Sequence, residues 1–293
     1  MSKIFDKIII FGTGDTNASI GLNVKNSGTT DIFIIKDDGS MIAGTGHSHT
    51  SSISTIAGGV KNTINSPSLY SFIGAGSGNT ANGNSAFIGG GRSNVVTTNY
   101  GTVVGGDKNT ATLLSFVGGG KNNNATGFYY SVVVGGGNNT ANSSWALIGG
   151  GASNTASGSK SSIINGFANT ASAIYSVVGS GYYHNVSGSL SFIGNGSSNS
   201  ISGGRSFIGA GNSNIIGPGG DYSFIGGGTS NTALSGRTFI GGGISNTASG
   251  IRSTIAGGWS NTSNGTTSFI GGGFSNISSG NYSVVGGGRS NVA

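Results

Sequence analysis

The stretch Phe239-Ile240-Gly241-Gly242-Gly243-Ile244-Ser245-Asn246-Thr247-Ala248-Ser249-Gly250 decides how the rest of the chain is read, because the same phrase recurs with small changes from about residue 54 to the end. Taking its Asn as a register mark gives sixteen positions from Asn62 to Asn291, with Asn169, Asn185 and Asn199 among them. Nine of the fifteen spacings are 15 residues and the others are 14, 16 or 17. A coil that stacks on its neighbour needs a constant length; a row of hairpins does not. The two spacings of 17 contain the only prolines, Pro67 and Pro218. Proline cannot donate to a sheet ladder, so each is expected in a small loop bulging from a corner.

Each coil holds two short strands. The first, as in Ser223–Gly226 and Ser283–Gly286, sets two apolar residues side by side, which predicts burial of both its faces. One residue fills the coil interior. The other needs a second apolar partner, most simply another copy of the chain around a symmetry axis. The second strand, Ser-Asn-Thr-Ala-Ser, is small and polar, and its stacked Asn residues predict an amide ladder. The triple glycine predicts a corner that uses φ above zero. The expectation is therefore an all-β protein, a parallel β-solenoid or β-roll of about 16 short coils over residues 54–293, assembled as a homotrimer. At ~4.8 Å per coil, sixteen coils span roughly 75 Å.

Composition agrees. The chain has 293 residues, 61 of them Gly and none Cys, with 7% charged and 34% hydrophobic residues. Low charge with that much apolar content is the opposite of a disordered chain, and glycine without a Gly-X-Y period is not collagen. Residues 1–45 carry four lysines against five aspartates; the rest carries nine Lys or Arg against Asp107 and Asp221. That excess is spread thinly, so it predicts a solvated surface and no nucleic-acid partner. The apolar run Ile8–Phe11 is too short for a secretory signal, and no segment approaches a ~20-residue membrane span, so no membrane insertion is expected.

The repeat resembles the heads of trimeric autotransporter adhesins, whose coils read Asn-Ser-Val-Ala-Ile-Gly followed by small polar residues and Ala-Ser-Gly. That resemblance covers about 240 residues and implies a left-handed, trimeric β-roll that binds host surfaces at the bacterial cell surface. Glycine-rich forms of the repeat are also similar to tail fibres of phages and phage-like contractile injection systems, made without a signal peptide. This second resemblance implies a virion or extracellular fibre joined through its N-terminus to a baseplate or other fibre subunits, with a cell-surface glycan or protein as receptor. Residues 1–45 read as strands Ile4–Phe11, Ile20–Lys25 and Ile32–Lys36, with turns at Asn26-Ser27-Gly28 and Asp37-Asp38-Gly39. They are similar to the lead-in modules of fibre proteins, which implies an N-terminal attachment module ahead of a neck at 46–53.

In that neck, His47 and His49 sit at i and i+2 of an extended segment and share a face. Threefold symmetry would gather six imidazoles, a cage suited to a divalent metal such as iron. The motif looks like the His-x-His iron site on the axis of some phage fibres; two exposed His in a neck are the alternative, and no cofactor is required. His184 is expected on the surface of an irregular corner. Aromatic residues recur before the apolar strand at Tyr70, Tyr100, Tyr130, Tyr175, Tyr222 and Tyr282, with Trp145 nearby, and Lys160, Arg205, Arg237 and Arg252 occupy the same corner. They are candidate surface-binding residues for a glycan, against the simpler reading of corner aromatics covering the coil below.

Enzyme signals are poor. All seven acidic residues are Asp and most lie N-terminally, so neither a carboxylate pair nor a triad is assembled, and no catalysis is expected. An ice-binding face is a third reading. Thr follows the register Asn in nine of sixteen coils, too irregular a column for lattice matching. The last residues, Ser290-Asn291-Val292-Ala293, are still in coil register, so a continuing chain or a covering subunit is expected beyond them.

Overall fold

The computed structural model describes residues 8–10, 22–25, 31–36 and 38–293. Strand β1 (Ile8–Ile10) pairs antiparallel with β2 (Leu22–Lys25), β2 with β3 (Asp31–Ile35), and β3 with β4 (Met41–Ala43). The predicted turn at Asn26-Ser27-Gly28, and the strand ends at 4–7, 11 and 20–21, lie outside the described residues. Gly39, at φ +82°, turns the chain from β3 into β4, with the Lys36 N–H donating to the Ser40 carbonyl at 2.9 Å.

The fold is a parallel β-solenoid of about sixteen turns. Its parallel stacking begins at β4, earlier than the repeat suggested: Met41 pairs with Thr55, Ile42 with Ile56, and Ser48 and His49 with Thr63 and Ile64. Residues 46–53 are thus part of a coil and not a separate neck. The chain forms two compact units, 1–138 and 139–293. In the first, Phe72, Phe87, Thr102 and Phe116 pair in one sheet and Thr63, Thr80, Val95 and Thr110 in the other. In the second, Phe192, Phe207, Phe224 and Phe239 pair in one sheet and Thr232, Thr247 and Thr262 in the other. Strands of two residues suffice because backbone bonds join each coil to the next on both sides of the strand, as Phe224 N–H to Thr238 and Gly226 N–H to Ile240. Both prolines lie in turns between strands, where the Ser68 and Gly220 N–H groups close loops onto Asn65 and Gly217.

Alternation decides which side chains are inside. In the two-residue strands from Thr55–Ile56 onward the second residue points inward and is buried, as in Ile208, Ile225, Ile240 and Ile255 opposite Ile216, Ala233, Ala248 and Ser263. The first residue of the apolar strand points outward. On a single chain this outward face stays partly open: Phe207, Phe239 and Phe269 remain 37%, 42% and 39% exposed. These rings stack coil on coil, with centroids 5.4, 5.2 and 5.1 Å apart from Phe192 through Phe239 and 5.5 Å apart for Phe72 and Phe87. Each lies across the glycine two residues on; a Cβ at Gly74 would come within 3.3 Å of Phe72 Cε1. The sequence honours this contact. Every Phe in this column is followed by Ile or Val and then Gly, while Thr102, Val132 and Ser162 are followed two residues later by Val104, Val134 and Ile164.

Two buried polar columns hold the corners. In one, each Asn side chain accepts from the next coil and donates to two carbonyls: Asn231 Oδ1 takes the Asn246 N–H at 3.0 Å, while its Nδ2 donates to Gly227 and Gly243 at 2.9 Å each. These residues are completely buried, and the predicted ladder is borne out with more bonds per amide than stacking alone would give. In the other column, Ser206 Oγ donates to the Gly220 carbonyl at 2.8 Å and accepts the Ser223 N–H at 3.1 Å. Buried hydroxyls are stable when their partners are supplied, as at Ser206 and Ser223; Ser161 and Ser253, at the same place in their coils, have no such partner.

Candidate functional site

At the corner five to eight residues after the Asn column, two residues before the apolar strand, the chain reverses its hydrogen-bond direction. Along the strands the N–H groups point to the following coil, as Phe224 to Thr238, while a left-handed residue just before the Asn also points back, as Ser245 to Thr229. At this corner they point back: Lys160 to Ser144, Arg205 to Ser189, Arg237 to Asp221 and Tyr222 to Gly204, at 2.8 to 2.9 Å. A left-handed residue makes that reversal, and every coil has one, from Ile53 at φ 52° to Tyr282 at φ 61°. A non-Gly residue held there costs about 1–2 kcal/mol, which Gly or Asn would largely relieve. The chain has 61 glycines, yet none of these sixteen places carries Gly or Asn.

Large exposed side chains stand there instead. In the first unit they include Tyr70, Tyr100 and Tyr130; in the second Trp145, Lys160, Tyr175, Leu190, Arg205, Tyr222, Arg237, Arg252 and Tyr282. The tyrosines and Trp145 are 43–76% exposed, so covering the coil below does not account for them. Lys160 Nζ lies 4.8 Å from the Tyr175 ring centroid and 2.6 Å from its hydroxyl. The Tyr222 ring is flanked by Arg205 and Arg237, whose guanidinium carbons lie 5.2 and 5.7 Å from its centroid. Every surface-binding candidate named from sequence thus holds the equivalent left-handed place in its own coil. Sequence reading missed a second exposed column two residues before the Asn. There Trp259 meets Phe274 edge-on at 5.1 Å and Arg289 lies over Phe274 at 5.2 Å, and the register position was the available signal. It also missed Phe128 and Tyr129, which cluster beside Tyr130 with centroids 6.2 and 6.3 Å apart.

The histidines are differently placed from expectation. His184 is buried and is itself the register residue of its coil; the mark at Asn185 is one residue off. Its Nδ1 accepts the Asn199 N–H at 3.1 Å, as an Asn Oδ1 does, while its own N–H donates to Asn169 Oδ1 at 2.9 Å. With His184 as the mark, the spacings from Asn169 and to Asn199 are both 15, not 16 and 14. His47 does the same one coil before Asn62: Nδ1 accepts the Asn62 N–H at 3.1 Å and Nε2 donates to the Ala43 carbonyl at 2.9 Å. A metal at His47 would have to displace one of these bonds. His49 points inward at the position of Ile64, with Lys36 Nζ 3.2 Å from its Nδ1. Among the described residues, no three His, Cys, Asp or Glu side chains gather as a metal group.

Burial pushes the His184 imidazole below its ordinary value of 6.5, against the opposing pull of the Asn199, Gly196 and Ser180 backbone. Burial and the Lys36 charge do the same to His49. Both rings resist protonation in the folded chain and not in the unfolded one. The unfolded state therefore takes up protons first as pH falls, so stability is complete above about 6.5 and declines below it until the folded rings titrate. Thermal midpoints at pH 5 and pH 7.5 test this. His184→Asn, which restores an amide to the column, is expected to hold or raise the midpoint and to flatten its pH dependence. An unchanged pH dependence would show that His184 is not the titrating group.

Among the described residues the only ion pair is Arg92 with Asp107, at 2.9 Å in the first unit. The second unit has five cations, Lys160, Arg205, Arg237, Arg252 and Arg289, against one carboxylate, Asp221. Asp221 spends Oδ1 on the Gly204 N–H at 2.7 Å. Four of the five cations occupy the left-handed corner. No known protein family matches the sequence, and no curated protein matches it.

Proposed function

We propose that this chain is a non-catalytic fibre protein, a homotrimeric β-roll rod of a phage or phage-like tail fibre that attaches an extracellular particle to a cell surface. The observation that carries this reading is the outward row of stacked Phe rings, half exposed on a single chain. Soluble proteins rarely leave a continuous apolar stripe facing water, and the flat row beside its glycines fits copies of itself around a threefold axis. The antiparallel module at residues 8–43 then serves as the joint to a baseplate or another fibre subunit, and the corner columns face outward toward a receptor. Light scattering on the purified protein tests assembly: three chains per particle are expected, and a monodisperse monomer would end the trimer reading. Phe207→Ser with Phe239→Ser, both outward and half exposed, is expected to convert trimer to monomer while each chain keeps its β signal. Binding of the labelled protein to intact cells, lost on addition of an excess of unlabelled protein, tests attachment.

A further inference from the structure

We propose that the left-handed corner between Lys160 and Arg252 binds a linear acidic polysaccharide lying along the direction in which the coils stack. This deepens the attachment reading above, naming the receptor chemistry of one surface. Lys160, Arg205, Arg237 and Arg252 hold equivalent places in their coils, at φ 58°, 56°, 60° and 59°. At ~4.8 Å per coil they stand about 14, 10 and 5 Å apart in succession, a row spanning roughly 29 Å. All four are exposed and none meets a carboxylate, since the one Asp of this unit turns an oxygen to the backbone. Between them stand Tyr175 and Tyr222, rings of the kind that take the C–H face of a sugar. In order the line reads Lys160, Tyr175, Leu190, Arg205, Tyr222, Arg237 and Arg252, cations interspersed with two rings, which suits a chain that carries both acid groups and sugar faces.

Nucleic acid is the rival polyanion, and its charge density argues against it. Duplex DNA carries a charge every ~1.7 Å, so four cations over roughly 29 Å would leave most phosphates unmatched. A glycan with one carboxylate or sulfate every one or two sugars presents charge at about the spacing of the column. The guanidinium forks of Arg205, Arg237 and Arg252 suit either anion by paired N–H donation.

The test uses full-length protein and fluorescence anisotropy with four labelled probes of similar length: polygalacturonate, dextran sulfate, unmodified dextran and a single-stranded oligodeoxynucleotide. Saturable binding of polygalacturonate or dextran sulfate is expected, with dextran not bound, and which of the two binds tells carboxylate from sulfate. Replacing Arg205, Arg237 and Arg252 together by Gln is expected to weaken binding at least ~10-fold, and the matching Lys triple variant to restore most of it. Should the Gln triple variant not fold, the single Arg252→Gln change reports instead, with a loss of about two-fold or more. The proposal is overturned if neither polyanion binds, if dextran binds as well, if the oligodeoxynucleotide binds as tightly, or if the Gln variants bind unchanged. A trimer that attaches to cells yet ignores both polyanions would retain the fibre reading and remove this one.

Discussion

Replacing Gly243 by Ala is expected to cost more than about 3 kcal/mol, while the same change at its neighbour Gly242 is expected to stay within about 0.5 kcal/mol of neutral. Gly243 has φ +97°, and a Cβ there would meet the Gly258 carbonyl oxygen at 2.1 Å, the Asn246 amide at 2.7 Å and the Gly258 nitrogen at 2.9 Å. Two of the three are backbone of the next coil, which cannot swing aside, so two coils would have to part and lose the hydrogen bonds that join them. At Gly242 the backbone is not left-handed and the nearest atom to an added Cβ, the Gly227 carbonyl oxygen, is 3.9 Å away. Ala there also narrows the unfolded ensemble, which offsets any small loss. Urea unfolding of the two variants followed by circular dichroism reads the contrast. Equal midpoints would show that coil spacing yields to a methyl group and that this glycine is not a steric requirement.

The Asn column should be equally intolerant. Asn231→Ala removes the acceptor for the Asn246 N–H and the donor to the Gly227 carbonyl, while the Gly243 carbonyl keeps the Thr229 N–H at 2.9 Å. At about 1–3 kcal/mol for each of the two groups left without these partners, partly relieved by relaxation, a loss of about 2–4 kcal/mol is expected. Asn231→Asp should be worse at neutral pH, because the two carbonyls that now receive N–H bonds would face a buried carboxylate. Its folded acid would be held protonated while the unfolded chain ionises near pH 4, so the deficit of this variant grows as pH rises through that value and shrinks below it. Asn291 is the control. It lies exposed in the last described coil, where its amide reaches Asn276 and Gly287, and its change to Ala should cost much less. A similar loss at 231 and 291 would mean that burial contributes nothing to the ladder.

Much of this was legible without coordinates. The 15-residue period, the two strands per coil, the Asn ladder and the placing of both prolines in turns all follow from spacing and residue type, since a coil must match its neighbour in length and in hydrogen-bond supply. The corner candidates were legible too, because Tyr100, Lys160, Arg205 and Tyr222 recur just before the apolar strand. What was not legible is facing. Two adjacent apolar residues do not by themselves say which one fills the coil; strand alternation sends Ile225 inside and Phe224 outside, where it stacks on Phe207 and Phe239.

The register of a single coil was the second such point. Spacings of 16 and 14 around Asn185 are as acceptable to a periodic pattern as 15 and 15 around His184; only the need for an acceptor at the height of the Asn199 N–H selects the imidazole. The three glycines differ for the same reason: Gly243 alone of its triplet turns left-handed, and the sequence writes all three alike. The sequence by itself determined the coil, its length and its two polar and apolar strands, because these depend on what each residue does locally and on repetition. Only the tertiary structure decided which residues close the ladder and which rings face solvent, because those depend on the height at which one coil meets the next.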